Sequence, residues 1–183
     1  KLLIVTLFFW VNSIGVNSGI TSRTRDHKIK TKYRLVEFRA TSHELHIYSK
    51  EFKEFLKERG MPLGNKTRQN WGVPDWIKKS NKAIKRLFLA GFFGAEMSSP
   101  KNSSKTCFYC PVINQNKVEK NIQGARDFFI DLSILLEEFG IKTLKISEFE
   151  DFKNKLEEKT FTVRIILAGD DGNLLKLYQK VGF

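Results

Sequence analysis

FLAGFFGAEM, Phe88 to Met97, is an apolar run of helical length from which side-chain bulk is missing at set places. Ala90, Gly91, Gly94 and Ala95 stand at i, i+1, i+4 and i+5, a spacing that strips one side of a helix and lets a second helix approach almost backbone to backbone. The run ends on a carboxylate, Glu96, which would lie where two such helices meet. With the residues before it, the pattern predicts a helix over Lys82–Ala95.

The chain as a whole reads as one pattern used twice. An earlier apolar run, Leu2 to Val11, predicts a helix over Leu2–Ser13. Each run leads into a polar, partly β-branched stretch, Gly19 to Ala40 and Ser98 to Gln115. Each stretch is followed by an amphipathic helix ending at a glycine. SHELHIYSKEFKEFLKERG stops at Gly60, with Ser42 as its expected N-cap, and ARDFFIDLSILLEEFG stops at Gly140. The intervals are nearly equal: 45 residues from Gly15 to Gly60 and 43 from Met97 to Gly140. Two related halves are expected, residues 1–72 and 73–183, about a pseudo-twofold axis.

Strands are expected at Tyr33–Ala40, Lys105–Ile113, Ile141–Ser147 and Phe161–Ala168. The last alternates Phe161, Val163, Ile165 and Leu167 against Thr162, Arg164 and Ile166. MPLGNKTRQNWGVPDWIKK reads as a linker in which Pro74 opens a short helix carrying Trp76 and Ile77 into the core. Glu148 to Lys159 reads as a solvated charged helix, and Asn173 to Val181 as a closing helix.

Of the 183 residues, 32 are Lys or Arg and 20 Asp or Glu, a net charge of +12. Such an excess points to a polyanion, because neutralising phosphates releases counterions. Between Thr21 and Ala40 seven basic residues (Arg23, Arg25, Lys28, Lys30, Lys32, Arg34 and Arg39) face two acids, Asp26 and Glu37. On a β-ribbon Lys28, Lys30, Lys32 and Arg34 share one face, and such a ribbon fits a major groove. Lys101, Lys105, Lys117, Lys142, Lys145 and Arg164 are the candidate contacts of the second half. Cys107 and Cys110 form a CxxC pair with no second pair, which excludes a stapled scaffold and leaves strand residues or a local redox pair. The opening LLIVTLFFWV is too short to span a membrane, which takes about 20 residues. No A-x-A-like site follows it, so a buried helix is preferred to a signal peptide, and an intracellular protein is expected. Starting at Lys1 without an initiator Met, the sequence is open to being a piece of a larger protein.

LAGFFGAE resembles the LAGLIDADG motif of homing endonucleases. Leu89, Ala90 and Gly91 match its first letters, Ala95 its later alanine and Glu96 its final acid. WGVPDWIKK resembles a Pro-x-Trp-Ile segment of archaeal and intein-borne members, and ARDFFIDLSILLEEFGIKTLKI and LLKLYQKVGF look like the same relatives. The resemblance covers most of 73–183 and, more weakly, 1–72. It implies an α+β fold of two pseudo-symmetric αββαββα-type halves, with motif helices at the central interface (Ala90, Gly91, Gly94 and Ala95 on one side) and a β-saddle for DNA. It implies Glu96 as a ligand of Mg²⁺ or another divalent cation over the scissile phosphate, Lys117 as a basic residue beside the catalytic centre, and a monomer rather than a homodimer.

The matching segment of the first half is LFFWVNSIG, Leu7 to Gly15. There the final acid falls on Ile14, and the small residues fall on Phe8 and Phe9. Isoleucine cannot bind a hard cation, and Asn12 or Ser13 offers oxygen without charge. The expected function is therefore site-specific DNA cleavage reduced to nicking or lost, with the alternative of a catalytically dead DNA- or RNA-binding module. The self-splicing element itself is a weaker reading: the chain has no initial Cys or Ser and no final His-Asn, though it could be the endonuclease portion of one.

Overall fold

The computed structural model describes residues 2–30, 34–98, 101–104, 108–151, 153–154 and 156–182. Its described part is a mixed α+β protein with six α-helices and two small antiparallel sheets. It divides into two compact units, Lys1–Glu58 and Arg59–Phe183, so the Pro- and Gly-rich stretch after Glu58 groups with the second.

The first unit opens with α1 (Leu2–Ser13). Gly15 ends it with φ at +79°, its N–H bonded to the Asn12 carbonyl and that of Val16 to the Val11 carbonyl. This is the Schellman arrangement, which a residue without Cβ adopts at no steric cost. β1 (Ser18–Lys30) and β2 (Leu35–Ile47) pair antiparallel from Ser18↔Ile47 to Lys30↔Leu35. Val11 is the one buried residue among the described side chains of this unit.

Ser42 is not a helix cap. It pairs with Arg23 inside the ribbon, and α2 (Lys50–Glu58) starts later, capped by Ser49 Oγ accepting from Phe52 N–H at 3.0 Å. The ladder with Ser18–Arg23 gives Ser42–Ile47 backbone bonds that one amphipathic helical face could not match. Gly60 follows at φ +90°, as its C-terminal place required.

In the second unit α3 (Asp75–Lys78), α4 (Lys82–Glu96) and α5 (Ile122–Glu137) accompany a sheet of order β3-β5-β4. The strands are β3 (Val112–Val118), β4 (Ser147–Glu150) and β5 (Thr160–Ile166). The core is built from the inward faces of these elements: Leu89 and Phe93 of α4, Phe128, Leu132, Leu135 and Leu136 of α5, and Val163 and Ile165 of β5. Lys85 is buried with them and places its ammonium 2.6 and 2.9 Å from the two carboxylate oxygens of Glu138. Asn81 caps α4 by accepting from Ile84 N–H. Gly140, at φ +72°, closes α5 in the same Schellman pattern as Gly15. α6 (Asp171–Lys176) runs into a π-helical turn, Leu177–Val181, that completes the core.

Several expected elements shift. Of the described residues in the strand expected over Lys105–Ile113, only Val112 and Ile113 are strand, at the start of Val112–Val118; Pro111 before them has no N–H to give a ladder. Before it, Asn102 and Phe108 make a single bridge, and Lys105, Thr106 and Cys107 lie outside the described residues. Ile141–Ser147 is not a strand; Thr143 makes one bridge to Leu167, and β4 begins where the expected strand ends. The charged stretch from Glu148 starts as that strand rather than as a helix, since Glu148–Glu150 pair with Phe161–Val163. Pro74 is the N-cap of α3 rather than its first residue. Ile77 is buried, but Trp76 turns outward, and its indole donates to the Arg59 carbonyl at 2.9 Å.

Candidate functional site

Glu96 is the last residue of α4, placed there by a helix whose inner side is locked by Lys85, Leu89 and Phe93. The C-terminal end of a helix carries partial negative charge, which adds to the carboxylate in attracting cations. Glu96 lines a cleft of about 260 Å³ with Lys66, Thr67, Trp71, Phe92, Asn114, Gln115, Asn116 and Lys117. Two residues singled out from the sequence, Glu96 and Lys117, are thus brought to one place. Lys66 ends 3.4 Å from Glu96 Oε1.

Lys117 lies on β3 and is only 1% exposed. Its Nζ donates to the carbonyl oxygens of Lys66 and Gln69, both at 2.7 Å, and lies 5.3 Å from the centre of the Trp71 ring. Burial, and secondarily the charge of Lys66, hold its pKa down at about 8. Two further cleft residues, Gln115 and Trp71, keep buried polar atoms without a partner among the described residues: both ends of the Gln115 amide, and Trp71 Nε1. Buried polar groups are normally bonded, so unmatched ones lining a cleft mark where a polar ligand fits.

Among the described residues the cleft offers one carboxylate, and no group of three His, Cys, Asp or Glu gathers for a metal. The Glu96 carboxylate and the unmatched Gln115 amide oxygen are hard oxygen donors. They fit a divalent cation of the magnesium type, which keeps water and takes much of its ligation from substrate phosphate. They do not make a metal cage in the protein alone.

Lys66, Trp71 and Gln115 were not among the sequence candidates. Lys66 and Trp71 lie in the stretch read as linker, and Gln115 two places before Lys117. A local signal existed only in the repeated amides of Asn114, Gln115 and Asn116.

On the same helix Gly91, Gly94 and Ala95 are exposed and Ala90 half-buried, and Leu87 beside them is 65% exposed. A Cβ built on Gly91 meets nothing within 4 Å. The small-residue seam is open.

The ribbon of the first unit has two unlike faces. On one, Lys28 pairs with Glu37 at 2.7 Å and Arg39 with Asp26 at 3.8 Å. On the other stand Arg23 and Arg25, exposed, opposite the small residues Ser42 and Ala40, with no ion pair among the described residues. Beyond them His27 stacks on Phe38, ring centres 5.2 Å apart. Lys30 ends β1 in register with Leu35, Arg34 is exposed just before β2, and Lys32 lies outside the described residues, as does Lys105. The single face expected for Lys28, Lys30, Lys32 and Arg34 is therefore not continuous, since Arg34 stands outside both strands.

In the second unit, Lys101, Lys142 and Lys145 are exposed, the backbone of Lys142 being fixed by the Asn173 amide. Arg164 is tied down, donating to Asn114 Oδ1 at 2.8 Å with its guanidinium 5.0 Å from the Phe149 ring. Cys110 is a free thiol, half-buried. Among the described residues, no helix is long and apolar enough to cross a membrane.

No family model matches the chain. Sequence similarity runs instead to segments of larger archaeal proteins with different names. A tRNA-splicing ligase RtcB of Methanopyrus kandleri is 34% identical over 174 residues, which is 94% of this chain and 17% of that protein. A replication factor C small subunit of Methanocaldococcus jannaschii is 28% identical over 182 residues, 94% of the chain and 9% of the relative. The RNA polymerase subunit Rpo1N of the same organism is 31% identical over 136 residues, 73% of the chain and 10% of the relative. The chain thus spans less than a fifth of each of these relatives. One stretch shared by a ligase, a replication factor and a polymerase subunit is consistent with an inserted element.

Proposed function

We propose that this chain is the DNA-recognising part of an inserted element, a LAGLIDADG-type homing endonuclease whose cleavage is confined to one strand or lost. The observation that carries the reading is the cleft at the end of α4, where a helix with a small-residue seam presents Glu96 beside Lys66, Gln115 and Lys117. An element that inserts into unrelated genes needs an activity that opens DNA at a chosen site, and the partial matches give that need a context.

In this reading Arg23 and Arg25 face the duplex, since their guanidinium forks are unspent and suit guanine or phosphate. The seam of small residues on α4 suits close approach by a second helix. A divalent cation held by Glu96 and substrate phosphate would stabilise charge on the phosphate and activate water. The chain's own residues do the rest: Glu96 would hold the cation, and the amide of Gln115 would orient water or a phosphate oxygen. Exposed basic residues neutralise the backbone.

One observation favours the alternative, a DNA- or RNA-binding module that does not cut. Among the described residues Glu96 is the sole acid lining its cleft, and its counterpart position in the first half, Ile14 just past the end of α1, is about half exposed. Incubation with a randomised duplex library and Mg²⁺, read for nicks and breaks, separates the two readings. Nicks that vanish in Glu96→Gln support the nuclease. Retention of DNA without any scission supports the module.

A further inference from the structure

Two lysines line the cleft, and only one can reach a ligand. An ammonium has three N–H donors. Lys117 spends two on the carbonyl oxygens of Lys66 and Gln69, and Trp71 flanks the same amine. With the residue 1% exposed, the third N–H has no open path to a phosphate. What these bonds do is tie the short 3₁₀ turn Lys66–Arg68 to β3. Lys66 rides on that turn. Its side chain is 64% exposed, and its one hydrogen-bond or ion-pair partner among the described residues is Glu96 Oε1. Any phosphate brought to Glu96 therefore meets the Lys66 ammonium, with donors to spare.

We propose that Lys66 is the cation of this cleft that meets a DNA phosphate beside Glu96, and that Lys117 is a positioning residue that holds Lys66 there. The assignment rests on the DNA-binding reading above and moves the role that the resemblance implies for Lys117 onto a residue of the stretch read as linker. It also explains the choice of lysine at 117: a single amine can bridge two carbonyls of one turn from a buried strand, whether or not it is charged.

The test is the dependence of affinity for mixed-sequence duplex DNA on salt, measured for the wild type, Lys66→Met and Lys66→Arg. One lost phosphate contact lowers the slope of log affinity against log salt by about 0.9. Lys66→Met should show that loss and Lys66→Arg should restore it; because residue 66 is exposed, neither change threatens folding. Lys117→Met, alone and combined with Lys66→Met, separates position from contact. A Lys117 that acts only through Lys66 adds nothing to the loss of about 0.9 in slope already seen in Lys66→Met. A double variant that loses about 1.8 puts Lys117 itself on phosphate and overturns the inference. So does a Lys66→Met protein with the wild-type slope. Affinity of the wild type that is flat with salt overturns the DNA-binding reading itself, and this inference with it.

Discussion

Lys117 donates to the carbonyl oxygen of Lys66 at 2.7 Å, and the side chain of that same Lys66 ends 3.4 Å from Glu96. A buried strand residue, a turn and a helix terminus are linked in one chain of contacts, so the carboxylate at the end of α4 is positioned from two sides. Changes along this chain should have separable effects.

Glu96→Gln keeps shape and removes the charge that a hard cation needs. All Mg²⁺-dependent scission should disappear, while DNA affinity stays within about threefold, a change of some 0.6 kcal/mol. Gel analysis of supercoiled and nicked forms, beside a binding titration, reads both quantities. Persistent nicking by the Gln variant would assign the chemistry to another acid.

Lys117 should make stability depend on pH in a definite direction. Its pKa is lowered from 10.5 to about 8 on folding, chiefly by burial. Below pH 8 both folded and unfolded chains hold the proton, and the fold carries the full cost of the buried charge. Between about 8 and 10.5 the unfolded chain binds more protons, so this group's contribution rises with pH, by up to about 3 kcal/mol. Urea unfolding of the wild type and Lys117→Met at several pH values isolates it as a difference. If that difference is the same at pH 7 and pH 10, the amine is not buried as described.

The two ribbon faces should respond unequally to alanine. Arg23→Ala and Arg25→Ala should each lower the salt slope of DNA affinity by about 0.9, and Lys28→Ala and Arg39→Ala by less, because Glu37 and Asp26 already neutralise them. For the wild type, 6–10 phosphate contacts imply a loss of about 10³–10⁵ in affinity between 50 and 200 mM salt. Equal effects on both faces would show that internal pairing does not choose the DNA-facing side.

Gly91→Leu tests whether the open seam is a docking surface. Nothing lies within 4 Å of a Cβ at this position, and leucine favours helix over glycine by several tenths of a kcal/mol. An exposed seam therefore predicts a small gain in stability. A seam that receives a second helix predicts a loss of about 1–3 kcal/mol from overpacking, the outcome the proposed function requires. Thermal melting of the full chain decides by its sign.

Glu138→Ala should cost about 2 kcal/mol, below the 3–5 of a fully buried pair because Glu138 is one-third exposed, and Lys85 is left in the core without its partner. Double substitution to Met at 85 and Leu at 138 should recover most of the loss. Chemical denaturation provides the measurement.

Helices stood out in the sequence because their signals are local. The apolar run of Leu2–Ser13, the 3–4 spacing of Phe128, Leu132, Leu135 and Leu136, and glycines at 15, 60 and 140 all act within a few residues of themselves. So does the placing of Glu96 at the end of a helix. Net charge and the stripe of small residues pointed to a polyanion and a close helix contact without any fold.

The strands near Val112 and Ser147 were misplaced because a strand is chosen by its partner. β3 and β4 exist where β5 can pair with them, and neither register is written in its own residues. Ser42 reads locally as a cap and became a strand residue because Arg23 lies opposite it. The cleft shows the same division. Sequence put a carboxylate at 96 and a lysine at 117, but which lysine is spent on backbone and which is free depends on contacts across about fifty residues. A buried ammonium goes to the nearest unmatched carbonyls, and only the folded turn at 66–69 determines where those are.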